Sequence, residues 1–270
     1  MSKTALRLEY KYLLSLDDLD RLRRMILPYV NIDKFGRSFG REGYCVRSIY
    51  LDTPEVCCYH EKEAGIKVRR KYRIRVYNQL ESDSKVFLEI KRKYINRISK
   101  NRAPVSYRDL LHIFTDHQSD TESQNLSDYC NGCPDMAQFM YHYYSRGLRP
   151  MVLINYEREA FFSRFDPGLR LTFDKNLRSS IFPNLDTLFA EMPYNYSLNN
   201  KFILEVKFYE SLPNWFRSII QSFDISRLAL SKYTICLKSH KLMNCFNPRL
   251  PSGFTVREFI YPEEEKHYHV

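Results

Sequence analysis

Five short stretches of the chain place charged residues two apart, which in an extended segment points them all to one side. They are Lys71-Tyr72-Arg73-Ile74-Arg75, Glu89-Ile90-Lys91-Arg92-Lys93, Tyr156-Glu157-Arg158, Arg170-Leu171-Thr172-Phe173-Asp174 and Glu205-Val206-Lys207. A β-strand sends alternate side chains to opposite faces. Arg73 and Arg75 therefore share a face opposite Ile74 and Val76, and Glu89, Lys91 and Lys93 share one opposite Leu88 and Ile90. Glu205 and Lys207 repeat the scheme against Leu204, Val206 and Phe208. Any one such row could be a solvated sheet face, mixed as usual with Thr and Ser. Five rows dominated by Arg and Lys point instead to a charged cavity that holds a polyanion.

The sequence predicts a strand over Leu6–Leu14, then a helix capped by Ser15 that carries Leu19, Leu22, Met25 and Ile26 on one side and ends at Pro28. A short strand, Val46–Leu51, runs into the turn signal Asp52-Thr53-Pro54. Residues 68–77 and 85–94 read as an antiparallel hairpin around the polar Asn78–Ser84 loop. Over 105–149 the alternation gives way to helices at Tyr107–Phe114 and Met136–Tyr144, flanking a polar loop at His117–Asn131. Strands resume at Met151–Phe162, Leu169–Asp174 and Phe202–Tyr209, with helices at Trp215–Phe223 and Arg227–Lys238. An antiparallel barrel needs one more strand, expected in Arg178–Asn200, where no period is visible. About eight strands can close around side chains or a small ligand. The fold class is thus α+β: an antiparallel barrel with its charged face inward and helices packed outside. An interior of that kind is stable only when an anion, metal and water neutralise it.

Composition narrows the partner. Forty-two Lys and Arg against 32 Asp and Glu give a formal charge of +10, which favours an anionic ligand. The aromatics fall mostly on the apolar rows, so base stacking on nucleic acid is not expected. No apolar run reaches the length of a membrane span, and Met1-Ser2-Lys3-Thr4 has no signal-peptide core. Seven scattered cysteines without an export signal fit reduced thiols in a cytoplasmic protein, and Cys130-Asn131-Gly132-Cys133 lacks the second pair of a zinc site. Residues 1–245 are expected to form one domain, followed by a solvated tail over 246–270.

Taken in order, Lys11-Tyr12, Tyr50-Leu51-Asp52-Thr53-Pro54, Lys71-Tyr72-Arg73-Ile74-Arg75, Leu88-Glu89-Ile90-Lys91, Tyr156-Glu157-Arg158, Arg170-Leu171-Thr172-Phe173-Asp174, Leu204-Glu205-Val206-Lys207 and Ser231-Lys232-Tyr233 resemble the polyphosphate polymerase domain of the vacuolar transporter chaperone (VTC) proteins. That domain is one of the triphosphate tunnel metalloenzymes, alongside the CYTH phosphatases. The resemblance implies a β-tunnel that grips ATP and polyphosphate with Mn²⁺ or Mg²⁺. It implies that Arg73, Arg75, Lys91, Arg158, Arg170 and Lys207 serve the reaction, and that Lys11, Lys93, Ser231 and Lys232 hold substrate. Glu205 would hold the metal, with Glu9 and Glu89 as further acidic candidates. Arg forks match phosphate oxygens and hard cations prefer carboxylates, so the assignment is chemically consistent.

Two departures bear on activity. CYTH enzymes open with Glu-x-Glu-x-Lys, whereas this chain has Arg7-Leu8-Glu9-Tyr10-Lys11, which favours the VTC branch over a hydrolase. The sequence shows neither an SPX sensor domain nor membrane helices, so the resemblance does not extend to inositol pyrophosphate regulation or to delivery through a membrane, and it leaves room for a membrane-protein partner. Three functions follow in order of preference: an ATP-dependent polyphosphate polymerase, a tunnel triphosphatase or tripolyphosphatase, and a non-catalytic polyphosphate-binding module. Tyr72, Tyr156 and Tyr233 read as packing residues, and His142 as core or surface. Asp174 either shares the metal or orients a basic side chain.

Overall fold

The computed structural model describes residues 7–33, 43–78, 84–95, 97–115, 130 and 132–241. Most of the expected His117–Asn131 and Asn78–Ser84 loops and all of the 246–270 tail lie outside the described residues. Ten strands form one sheet: β1 (Arg7–Ser15), β2 (Val30–Ile32), β3 (Tyr44–Asp52), β4 (Val68–Tyr77), β5 (Lys85–Tyr94), β6 (Arg97–Ser106), β7 (Arg149–Ser163), β8 (Arg170–Ile181), β9 (Asn195–Tyr196) and β10 (Lys201–Phe208). Eight of them run in the order β7-β3-β4-β5-β6-β1-β10-β8, and pairing of β8 with β7 closes the barrel. Every pairing is antiparallel. The short strands β2 and β9 extend the sheet beyond the closed ring.

The eighth barrel strand is β6, not a segment of Arg178–Asn200. It was hidden because neither row is apolar along its length: Ala103 and Val105 pack in the core but share their row with Arg97, Ser99 and Asn101. Lys100 and Arg102 share its inward row with Ile98, while Asn101 on the other row donates to Asp135 at 2.6 Å. With polar and apolar residues mixed within each row, there is no clean two-residue period to read. Its seam with β1 is also short, pairing Arg7 with Ile98 and Leu8 with Arg97.

Helices α1 (Leu19–Ile26), α2 (Cys57–Glu63), α3 (Tyr107–Thr115), α4 (Pro134–Ser145), α5 (Asn214–Ser222) and α6 (Lys232–Ser239) pack outside the wall or at its ends. Two apolar clusters explain why. The outward rows of β1, β8 and β10 (Tyr12, Leu14, Leu171, Phe173, Leu204, Val206 and Phe208) are buried against Leu22 and Ile26 of α1 and Phe216 of α5. The outward rows of β3, β4 and β5 are buried with Tyr59 of α2, Leu110 of α3, Phe139 of α4 and Leu237 of α6. Apolar burial on this outer surface, at roughly 25 cal/mol per Å², is the main stabilising term. The inside of the wall stays free for charge.

Two sequence expectations are revised here. Ser15 caps only a short 3-10 turn, Leu16–Asp18, accepting from the Asp17 N–H, and α1 starts at Leu19. The helix expected over Arg227–Lys238 begins only at Lys232, where Ser231 is the cap and accepts from the Thr234 N–H at 3.3 Å. Residues 227–231 instead lie along β1: the Leu228 N–H donates to the Lys11 carbonyl at 2.9 Å, and Lys11 Nζ donates to the Leu230 carbonyl at 3.1 Å.

Asp52, read from sequence as part of a turn, ties three elements together. Its fully buried carboxylate accepts the N–H groups of Thr53 (2.8 Å), Cys58 (2.9 Å) and Tyr59 (3.1 Å), the last two in the first turn of α2. It also accepts the Tyr233 hydroxyl of α6 at 2.5 Å. Asp52→Ala strands these donors in the core and should cost about 2–4 kcal/mol of stability. Tyr233→Phe, which removes one bond, should cost about 1 kcal/mol. Urea denaturation followed by circular dichroism checks both values, and equal losses in the two variants would refute the ranking.

Candidate functional site: a basic cavity inside the barrel

The inward rows enclose a cavity of about 300 Å³. Its walls carry twelve basic side chains (Lys11, Lys62, Arg69, Lys71, Arg73, Arg75, Lys91, Lys93, Arg158, Lys207, Arg227 and Lys232) and two carboxylates, Glu9 and Glu205. The register makes this assembly unavoidable. Arg73 lies opposite Glu89, Lys71 opposite Lys91, Arg69 opposite Lys93, Glu9 opposite Lys207, and Lys11 opposite Glu205. With each row facing in, strand pairing stacks the charges into one ring.

The arginines are held by partners at their backs. Arg73 donates from Nε to Glu89 at 2.7 Å and from Nη1 to the Tyr50 hydroxyl at 3.0 Å. Arg75 donates to Ser48 Oγ at 2.9 Å and to the Tyr156 hydroxyl at 3.2 Å. Arg158 grips Asp174 in a fork, at 2.6 and 2.8 Å. Lys232 approaches the same carboxylate at 2.5 Å. Gly43 lets β3 start hard against Arg158, since a Cβ there would lie 2.3 Å from the Arg158 carbonyl oxygen. Each guanidinium is thus oriented before any ligand arrives, which lowers the cost of binding an anion.

Ion pairs around β1 and β10 hold the lysines. Lys11 and Lys91 reach Glu9 at 3.1 and 2.9 Å, and Lys207 reaches Glu205 at 2.5 Å. Burial and the neighbouring Glu205 favour protonation of Glu9, yet Lys11, Lys91 and Lys207 outweigh them and take its pKa down to about 2. Burial also opposes ionisation of Glu205, but Lys207, Lys11 and Lys91 hold it well below the usual carboxylate range. Lysines without enough anionic company move the other way. Burial, then Lys11 and Lys207, outweighs the attraction of Glu9 and Glu205 and brings Lys91 down to about 8. Burial, Lys11 and Lys91 hold Lys71 well below an ordinary lysine.

Most predicted site residues meet in the cavity. Lys11, Arg73, Arg75, Lys91, Lys93, Arg158, Lys207, Ser231, Lys232, Glu9 and Glu205 all line it. Two stand apart. Arg170 lies at the far end of its row, paired with Asp33 at 3.0 Å. Glu89 is fully buried behind Arg73, close also to Lys100 and Arg102 at 3.3 Å each, so it orients arginine and does not face the cavity. Asp174 plays the corresponding part for Arg158.

Sequence reasoning overlooked Lys71, although it shares the row of Arg73 and Arg75; its Nζ donates to Ser231 Oγ at 2.5 Å. Tyr50 and Tyr156 were overlooked as lining residues too, and their hydroxyls accept from Arg73 and Arg75. The packing role expected for Tyr156 is therefore only half of what it does. Tyr72 is buried and accepts from Arg146 at 3.2 Å, a packing role.

Among the described residues no three His, Cys, Asp or Glu side chains cluster as a metal cage. Glu9 and Glu205, ionised on adjacent strands and both near Lys11 and Lys207, nevertheless fit a divalent cation that arrives with phosphate. Mg²⁺ commonly takes one or two carboxylates and completes its shell with phosphate oxygens and water.

A family model described as the VTC domain matches residues 6–241. The chain belongs to the VTC domain family. Among curated proteins, none matches the sequence significantly. Similar solved structures include a candidate adenylate cyclase from Vibrio parahaemolyticus, 13% identical with a TM-score of 0.42, covering 86% of this chain and 97% of that one. A candidate adenylyl cyclase from Hippeastrum with a dominant triphosphatase activity is 10% identical at TM-score 0.45, covering 86% and 95%. The Mimivirus capping enzyme triphosphatase is 10% identical at TM-score 0.36, covering 82% and 88%.

The electrostatics of this VTC domain give a pH signature. An anion in the cavity favours charged Lys91 and Lys71, raising their pKa values from the depressed starting points. Near pH 8, binding of tripolyphosphate should therefore take up protons, and affinity should fall as pH rises through 8, where free Lys91 loses its charge. Calorimetry in two buffers of different ionisation enthalpy measures the uptake, and Lys91→Arg should reduce it. Because the phosphate chain also sheds protons in a cationic site, the contrast between the two proteins decides, and identical exchange in the wild type and Lys91→Arg would contradict the arrangement.

Proposed function

We propose that this protein is an ATP-dependent polyphosphate polymerase that moves the γ-phosphoryl group of ATP to the end of a polyphosphate chain. The observation that carries the reading is the excess of cations over carboxylates in a cavity inside the barrel, with the cations already oriented. Phosphoryl transfer needs little covalent chemistry from protein; positioning and charge stabilisation do most of the work. Arg73, Arg75 and Arg158 would hold the transferred group in line while Lys91 and Lys207 neutralise charge on the leaving and attacking oxygens. Glu205 and Glu9 would hold Mg²⁺ or Mn²⁺, which would supply further neutralisation of phosphate charge.

The carboxylates favour transfer to phosphate over transfer to water. A water nucleophile benefits from a base, and a carboxylate with a pKa near 2, as in Glu9, is a poor one. A terminal phosphate oxygen is already ionised near neutral pH and needs no base.

Incubation with ATP and Mn²⁺ or Mg²⁺, followed by gel electrophoresis, should give a ladder of chains longer than the substrate. Orthophosphate in proportion to ATP consumed, with no longer chain, would assign the protein as a triphosphatase instead. Arg73→Ala should lower turnover by about 10²–10³. Glu205→Gln should lower it at least about a hundredfold while polyphosphate binding survives. Arg158 is better tested as Lys than as Ala, because Ala would leave Asp174 buried with only Lys232 beside it.

A further inference from the structure

The rim formed by β4 and β5 carries an unusual combination of residues. Ile66, Val68, Tyr94 and Ile95 are 36, 39, 60 and 48% exposed. They stand together: Val68 pairs with Tyr94 across the ribbon, and the Ile95 N–H donates to the Lys67 carbonyl at 2.9 Å. The next pair along the ribbon, Arg69 with Lys93, is on the inward row and lines the cavity, so the apolar group lies one strand position beyond the lining, with Val68 and Tyr94 on the outward row. Over 64–70 and 92–97 the sequence has six basic residues, including Lys67 and Arg97, and no Asp or Glu.

Ile95 is the informative member. It follows β5 with φ at 54°, in the left-handed region. A β-branched side chain there is strained by about 1–2 kcal/mol, and hairpin turns at such positions favour Asn, Asp or Gly. Folding gains nothing from an exposed, strained isoleucine. A surface that buries it on docking does gain.

We propose that this rim is an interfacial docking surface for an anionic lipid bilayer, with Ile66, Val68, Tyr94 and Ile95 entering the headgroup–acyl boundary and the surrounding Lys and Arg meeting lipid phosphates. Apolar anchors within a cationic surround, with a Tyr at the boundary, match the chemistry of such an interface on both counts. A protein partner would account for the apolar residues, but the absence of any carboxylate along both rim segments favours a uniformly anionic plane. Docking in this way sets the β4–β5 end of the barrel against the membrane.

Co-sedimentation with lipid vesicles tests the proposal, with saturating tripolyphosphate present so that the cavity itself is occupied. The protein should bind mixed phosphatidylcholine–phosphatidylserine vesicles and not phosphatidylcholine alone. Ile95→Asn and Tyr94→Ser should each weaken vesicle binding about tenfold through lost apolar burial. Tripolyphosphate affinity should stay unchanged in both, and Ile95→Asn should melt no lower than the wild type because Asn tolerates the left-handed backbone. The proposal is overturned by failure to bind phosphatidylserine vesicles. It is equally overturned if both variants bind like the wild type, which would leave only non-specific charge attraction.

Discussion

Everything in this molecule depends on keeping like charges together inside a closed wall. A buried cation is tolerated only when paired or hydrogen-bonded, and the desolvation cost of an isolated one is several kcal/mol. The barrel meets that condition with four internal carboxylates set behind or between the cations: Glu9, Glu89, Asp174 and Glu205. Too few to neutralise the lining, they hold its geometry and leave a surplus of positive charge. Burial first, and the neighbouring lysines after it, lower the pKa values of Lys71 and Lys91. A polyanion is the missing complement.

The carboxylates consequently divide by position. Glu89 and Asp174 sit behind arginines and fix their orientation, while Glu9 and Glu205 reach the cavity among lysines. Residue type does not separate the two roles, since all four are acidic members of inward rows. Depth within the wall separates them. The α6 end follows the same logic: Ser231 and Lys232 present a helix N-terminus to the cavity, and its partial positive charge adds to the basic lining.

Legibility followed the strength of the two-residue period. The β4–β5 ribbon was readable to its ends because apolar and charged rows alternate over most of its length, broken at Arg70, Arg92 and Phe87. β6 was unreadable because Asn101 on its outer row is satisfied by Asp135 of a helix distant in sequence. Segment 227–231 carries helical residues yet forms no helix, because Lys11 and its carbonyl bind it from across the chain. Ser231 was a usable capping signal for the later helix start, since Ser commonly marks the residue before a helix.

The sequence by itself determined the alternation: which rows are charged, which are apolar, and hence that the charged side had to be enclosed around an anion. That follows from backbone geometry, because strand side chains can point only two ways. Tertiary structure decided which charges face the ligand and which stand behind it. It moved Glu89 out of the metal candidates' company, placed Arg170 against Asp33, and brought Lys71, Tyr50 and Tyr156 into the lining. Those outcomes depend on register, closure and depth, which arise only when strands distant in sequence pair.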